Sequence, residues 1–173
     1  VVPPHFIKFK AIKEYKDKYG IDIIVETGTY KGDTVTKARG VFKQIYSIEL
    51  NEGLFKQAEA KFSCFKNIRI IQGDSAKVLP EIINALSAPA IFWLDAHYSG
   101  GVTAGDRQHC PVLDEITAIL NQDKFKHLIL IDDAHLFNGQ NGYPELESLK
   151  SFLKKRRPQW KLKIKDNIIR VFP

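Results

Sequence analysis

Apolar positions along this chain follow two alternating rhythms. Short runs of Ile, Val, Leu and Phe have the character of buried strands. Longer stretches between them repeat apolar residues at helical spacing. Phe6 to Tyr19 reads as an opening helix stopped by Gly20. Ile21 to Glu26 is a β-branched run and predicts a buried strand, Gly28 to Gly32 a turn, and Asp33 to Phe42 a helix. Gln44 to Leu50 predicts the second strand, and Asn51 can cap a helix running to about Phe62. Ile68 to Gln72 is the third strand, followed by a helix capped by Asp74 or Ser75 and reaching Leu86. Ala90 to Leu94 is continuously apolar, as a central parallel strand should be.

The second half keeps the alternation. A polar, glycine-containing loop runs from His97 to His109, and Pro111 suits the first turn of a helix continuing to about Asn121. Leu128 to Ile131 is the fifth strand. After Gly139 and Gly142, a helix starts at Tyr143 or Pro144 and ends near Arg157. Trp160 to Ile164 and Ile168 to Phe172 form two strands joined tightly at Asp166-Asn167, a hairpin signal. Strands alternating with helices indicate βαβ units around a parallel sheet. A short turn forces antiparallel pairing, so the last strand should run against that sheet. Its place in the strand order does not follow from the pattern.

Composition narrows the class. A length of 173 residues fits one domain, and 44% hydrophobic residues suffice for a core. No apolar run is long enough to span a bilayer, so no membrane partner is expected. Val1-Val2-Pro3-Pro4 leads into polar and basic residues without a signal-peptide pattern. Two cysteines, Cys64 and Cys110, do not make a disulfide framework, and a reduced, cytoplasmic setting is the expectation. Cys110 follows His109 and His97 lies upstream, but the paired spacing of a zinc site is missing. Met is absent altogether, so the sequence is expected to be a processed product or a piece of something longer. The net charge is +6, and part of the excess lies in Lys154-Lys155-Arg156-Arg157. That run fits a helix C-terminus at least as well as an anionic partner.

The chemistry concentrates after the strands. Val25-Glu26-Thr27-Gly28-Thr29-Tyr30-Lys31-Gly32-Asp33-Thr34 joins a strand to a helix, where glycines let a ligand approach the backbone. It is not the GxGxxG fingerprint, because Tyr30 stands at the second Gly. Carboxylates at Glu26 and Asp33 would repel a pyrophosphate, whereas they suit an amine and a sulfonium. No Gly-Lys-Ser/Thr follows, which excludes a P-loop. Glu49 ends the second strand 21 residues after Gly28, the spacing of an acid that accepts from ribose hydroxyls. Gly73-Asp74-Ser75 follows the third strand, where Asp74 either accepts from an adenine amine or caps the next helix.

Taken in order, Glu-x-Gly-x-x-x-Gly, a strand-end Glu, Gly-Asp-Ser and a strand-four Asp resemble the class I S-adenosylmethionine-dependent methyltransferases, from Ile21 through the final hairpin. The resemblance implies an α/β, Rossmann-like three-layer sandwich with a mostly parallel seven-stranded sheet and an antiparallel C-terminal strand. It implies a cofactor site of Glu26, Thr27, Gly28, Thr29, Tyr30, Gly32, Thr34, Glu49, Leu50, Gly73, Asp74, Ser75 and Asp95. Glu26 and Gly28 would face the methionine part, Glu49 the ribose, and Asp74 with Ser75 the adenine. Tyr30 departs from the Gly found in many members.

Two further motifs bear on the reaction. Asp95-Ala96-His97-Tyr98 follows the fourth strand without the two prolines of Asp/Asn-Pro-Pro-Tyr, which argues against base methylation. Asp132-Asp133 after the fifth strand resembles the metal-dependent small-molecule O-methyltransferases, which combine such a pair with a strand-four Asp. That resemblance implies a magnesium-type site at Asp95, Asp132 and Asp133. Asp95 and His97, at the end of the fourth strand, are the expected catalytic residues, with His97 placed to act as general base. The plain alternative for the pair is a helix cap and a surface acid. The leading expectation is O-methylation of a small hydroxylated substrate. The rivals are a nucleic-acid methyltransferase, supported by the basic charge, and a non-catalytic cofactor-binding domain. The acceptor and the oligomeric state are not written in the sequence.

Overall fold

A computed structural model describes residues 4–95 and 110–173. The elements run α1 (His5–Tyr19), β1 (Ile23–Thr27), α2 (Asp33–Ala38), β2 (Gln44–Glu49), α3 (Glu52–Phe62), β3 (Ile68–Gln72), α4 (Ser75–Ala85) and β4 (Ala90–Leu94). They continue through α5 (Val112–Leu120), β5 (Leu128–Ile131), a 3₁₀ turn (Ala134–Leu136), α6 (Leu146–Arg156), β6 (Lys161–Lys165) and β7 (Ile168–Phe172).

Alternating side chains divide the core between the two faces of one sheet, as the pleat requires. On β4, Phe92 points to one face and Ile91 and Trp93 to the other. Val25, Phe92 and Ile129 pack with Leu79 and Ile83 of α4, Ile116 of α5 and Leu149 of α6. Ile24, Ile45, Trp93 and Leu130 pack with Ile12 of α1, Val35 of α2 and Phe62 of α3. The result is the expected three-layer α/β sandwich.

The sheet has seven strands in the order β3-β2-β1-β4-β5-β7-β6. β1 to β5 pair in parallel, and β7 runs antiparallel to both β5 and β6. This fills in the strand order that periodicity left open. Asp166 and Asn167 both take the left-handed conformation, with φ 54° and 59°. A two-residue turn of that kind matches the twist of the strands it joins. Lys161, Lys163 and Lys165 stand exposed on the edge strand β6, where their charge discourages further strand pairing.

Some boundaries move. β1 begins at Ile23, because Ile21 is buried in the chain reversal after Gly20, its N–H donating to the Lys16 carbonyl. α2 stops at Ala38, where the N–H groups of Val41 and Phe42 turn back to the Ala38 carbonyl and carry Phe42 into the core. α6 begins at Leu146, because an isolated bridge between Asn138 and Glu145 holds the preceding residues outside the helix. The basic run ends that helix. Arg157 pairs with Asp123 and donates to the Leu120 carbonyl, and Arg156 donates to Asn121. Two of its four charges thus tie α6 to the end of α5. Among the described residues, no helix is long and apolar enough to cross a membrane.

Candidate functional site

The register of the parallel strands sets the site. Thr27 is level with Ile48 on one side and Leu94 on the other, and Leu94 is level with Ile131. All four are buried, and each is followed by a residue at the carboxyl edge of the sheet: Gly28, Glu49, Asp95 and Asp132. Backbone bonds keep that row level. Gly28 N–H donates to the Ile48 carbonyl at 2.9 Å, Asp95 N–H to Thr27 at 3.1 Å, and Asp132 N–H to Leu94 at 3.0 Å. Ligands of open α/β sheets bind along this edge, where the strand order changes direction.

The loop after β1 is built to stay close to the backbone. Gly28 has φ 85° and Gly32 φ 74°, in the region that favours glycine. A Cβ at Gly32 would lie 2.6 Å from the Phe62 ring, so α3 can pack there only on a glycine. Tyr30 adopts φ 49° despite its side chain, with its ring half exposed. Its N–H donates to Glu49 Oε2 at 2.8 Å, while the Asn51 N–H donates to Oε1 at 2.9 Å. These two bonds fix the carboxylate, and a carboxylate has further lone pairs to offer a ribose. Leu50 stands exposed beside it. Those spare acceptors on an immobilised acid fit the sugar of S-adenosylmethionine.

Glu26 is held differently. Its Oε2 accepts from Ser47 Oγ at 2.5 Å, Ser47 is bridged to Thr29 at 2.7 Å, and the residue is 3% exposed. Burial pushes its pKa up to about 8, against the opposing bonds from Ser47 and Thr34 and with help from the charges of Asp95 and Glu49. At neutral pH this carboxyl is largely protonated, and an incoming ammonium group would draw the proton off. Asp33 is exposed and lies 3.8 Å from His5. Asp74 caps α4, accepting from Ala76 N–H at 3.1 Å, so the capping role exists beside any adenine contact. Gly73 donates to the Glu49 carbonyl, which sets Asp74 and the buried Ser75 close to Glu49.

On the other side of the row, one oxygen each of Asp95, Asp132 and Asp133 lie within 4.8 Å of one another. Asp132 and Asp133 are both buried, so the alternative of a surface acid does not describe them. Asp133 precedes the 3₁₀ turn with φ 52° and accepts from Asn167 Nδ2 at 3.1 Å. Asp132 Oδ2 accepts from Lys8 Nζ of α1, whereas its buried Oδ1 has no hydrogen-bond partner among the described residues. Burial, then the charge of Asp95, raises the Asp132 pKa against the pull of Lys8. Three hard oxygen donors with an unsatisfied buried atom fit a divalent cation of the magnesium type. His97 and the loop from 97 to 109 lie outside the described residues.

A cleft opens between these acids and α5. Asp95, Asp132, Cys110, Glu115 and Tyr143 line it. Glu115 is 1% exposed, and its Oε1 has no hydrogen-bond partner among the described residues. Burial raises its pKa to about 7 despite the hydroxyls of Ser75 and Thr27. Burial pushes the Cys110 thiol up to about 11, which disfavours the thiolate at neutral pH. Sequence reasoning passed over Lys8 and Glu115. Lys8 shares a helical face with the buried Ala11, Ile12 and Tyr15, at spacings of three, four and seven, and that signal was available. Glu115, in the first turn of α5, reads from sequence as a charge favourable to the helix dipole.

No protein-family model matches the chain, and no curated protein matches it. Solved structures do. The O-methyltransferase TomG from Streptomyces achromogenes, solved with S-adenosylmethionine, is 13% identical with TM-score 0.71, covering 98% of this chain and 80% of that one. An O-methyltransferase from Bacillus cereus, solved with S-adenosylhomocysteine, is 16% identical with TM-score 0.67, covering 99% and 84%. The Podospora anserina methyltransferase PaMTH1, also solved with S-adenosylhomocysteine, is 14% identical with TM-score 0.66, covering 95% and 77%. By its sheet order, its antiparallel terminal hairpin and these likenesses, the chain has the fold of the class I S-adenosylmethionine-dependent methyltransferases.

Proposed function

We propose that residues 1–173 form one S-adenosylmethionine-binding domain that methylates a hydroxyl of a small acceptor. The observation that carries the reading is the single level row in which the pinned Glu49, Gly28 and the acids Asp95 and Asp132 share one sheet edge. In this reading Glu49 holds the ribose, the loop from Gly28 to Gly32 borders the methionine part, and Glu26 exchanges its proton for the ammonium. Asp74 and Ser75 border the adenine. S-adenosylmethionine supplies a methyl group already activated by its sulfonium, so the protein mainly aligns the acceptor and removes its proton.

Asp95, Asp132 and Asp133 are the proposed holders of a divalent cation, which would lower the pKa of an acceptor hydroxyl and orient it. His97, two residues along the chain from Asp95, is the proposed proton acceptor. The likenesses to TomG and the Bacillus cereus O-methyltransferase, at higher TM-scores than those to rRNA methyltransferases, support a small hydroxylated acceptor. The anchoring of Arg156 and Arg157 on α5 and its C-terminal turn gives two of the four basic residues a structural role.

The test is transfer of labelled methyl from S-adenosylmethionine to a panel of sugars, catechols and phenols, with RNA as a competing acceptor. Labelling of a small hydroxylated compound, lost in chelator and restored by magnesium, is the expected result. Labelling of RNA alone would overturn the choice of acceptor. Absence of cofactor binding would overturn the whole reading.

A further inference from the structure

The acidic cluster already has one cation of its own. α1 packs against the sheet through Ala11, Ile12 and Tyr15, and the same helical face continues to Lys8 at the carboxyl edge. Such a stripe position ordinarily carries an apolar residue. The Lys8 side chain is 12% exposed and its ammonium ends on Asp132 Oδ2. Burial works to lower the Lys8 pKa, but Asp132, with the charges of Asp95 and Asp133, outweighs burial and holds it above the usual value. The lysine does not satisfy this carboxylate completely, because the buried Oδ1 of Asp132 has no hydrogen-bond partner among the described residues.

An ammonium in contact with one of these carboxylates and a divalent cation held by all three repel each other at short range in a medium of low polarizability. We propose that Lys8 is a built-in counter-ion of Asp132, and that a divalent cation binds at the Asp95–Asp132–Asp133 cluster by displacing its ammonium from Asp132. This rests on the proposed cation site and adds a consequence. Because the lysine belongs to α1, occupancy of the site is coupled to the packing of the amino-terminal helix. Linkage makes the coupling reciprocal, so whatever fixes Lys8 on Asp132 weakens cation binding by the same factor.

The test is Mn2+ binding to the intact chain, followed by calorimetry and by the paramagnetic resonance of free Mn2+, in wild type and in Lys8→Met, Lys8→Arg and Asp132→Asn. Lys8→Met keeps the length of the stem and removes the charge. It is expected to bind Mn2+ about tenfold more tightly or better, a gain of about 1.4 kcal/mol or more. Lys8→Arg should stay near wild type, and Asp132→Asn should bind poorly. A second measurement needs no variant: in wild type, Mn2+ should speed amide hydrogen exchange around Lys8 in α1. Unchanged or weaker binding in Lys8→Met, or no change in α1 exchange on saturation, overturns the role of Lys8 and leaves the cation site standing. Failure of every protein to bind Mn2+ overturns the cation site and this inference together.

Discussion

Asn167, in the turn of the terminal hairpin, donates from Nδ2 to Oδ1 of Asp133 at 3.1 Å, across 34 residues of sequence. The same side chain accepts from the His135 N–H at 2.9 Å through Oδ1. One amide therefore fixes the carboxylate of a proposed ligand and the backbone turn that follows it. Asn167→Gly tolerates the positive φ of this position but removes the clamp. Expected is a several-fold loss of Mn2+ affinity with a change in stability within about 1 kcal/mol, the scale of one net hydrogen bond. Calorimetry and urea unfolding of the same variant separate the two effects.

Cofactor choice follows from Glu49. Isothermal calorimetry should show binding of S-adenosylmethionine or S-adenosylhomocysteine and none of NAD. Glu49→Ala should cost roughly 1–3 kcal/mol of that binding, as for lost charged hydrogen bonds. Because Glu49 also holds the N–H groups of Tyr30 and Asn51, Glu49→Gln is the cleaner variant. It keeps one acceptor oxygen and should lose less. NAD binding in preference to S-adenosylmethionine would refute the assignment.

Glu26 makes stability fall with pH. Its folded pKa, about 8, lies above the value of an exposed carboxyl, so between the two the folded state holds a proton that the unfolded state has lost. Stability from this group is full below the unfolded value, declines as pH rises, and levels off above about 8. Each tenfold displacement of that equilibrium is worth about 1.4 kcal/mol. Glu26→Gln, neutral at every pH, should flatten the profile in the cofactor-free protein and be more stable than wild type above pH 8. Parallel stability profiles of the two proteins across this range would refute the burial argument.

Gly32→Ala tests the packing of the loop on α3. The new Cβ would meet the Phe62 ring at 2.6 Å, and φ 74° is strained for any L side chain. A destabilisation of about 1–3 kcal/mol is expected, the range for strain and overpacking. Thermal unfolding measures it. Gly40→Ala, which meets nothing within 4 Å and has no positive φ, serves as the control.

Much of this arrangement is legible in the chain because an apolar run that ends in an acid is a strong local signal. Leu94-Asp95 and Ile131-Asp132 each mark a strand and its edge at once, and Asp166-Asn167 announces the hairpin. Strand order is a different matter: nothing local tells β7 to insert between β5 and β6. Lys8 and Glu115 escaped for a related reason. A charged residue on an amphipathic helix looks solvated until its face is known; the spacing to Ala11, Ile12 and Tyr15 names that face for Lys8, whereas for Glu115 the fold alone shows it. Asp74 remained open in the sequence because its capping bond and an adenine contact ask for the same short acid in the same place.

The position of β7 also has a consequence for the order in which a nascent chain can mature. β1 to β3, with Glu49 and the glycine loop, leave the ribosome early and use contacts among near neighbours. β5 emerges with one long flank uncovered, since its partner on that side is made from residues some 40 positions later. Until then Asp133 lacks its clamp, and the strand that carries Asp132 is an open edge able to pair with other chains. Vectorial synthesis therefore completes the edge formed by Gly28 and Glu49 before the edge that carries Asp132, and the interval between them is when a holdase chaperone would have most to cover.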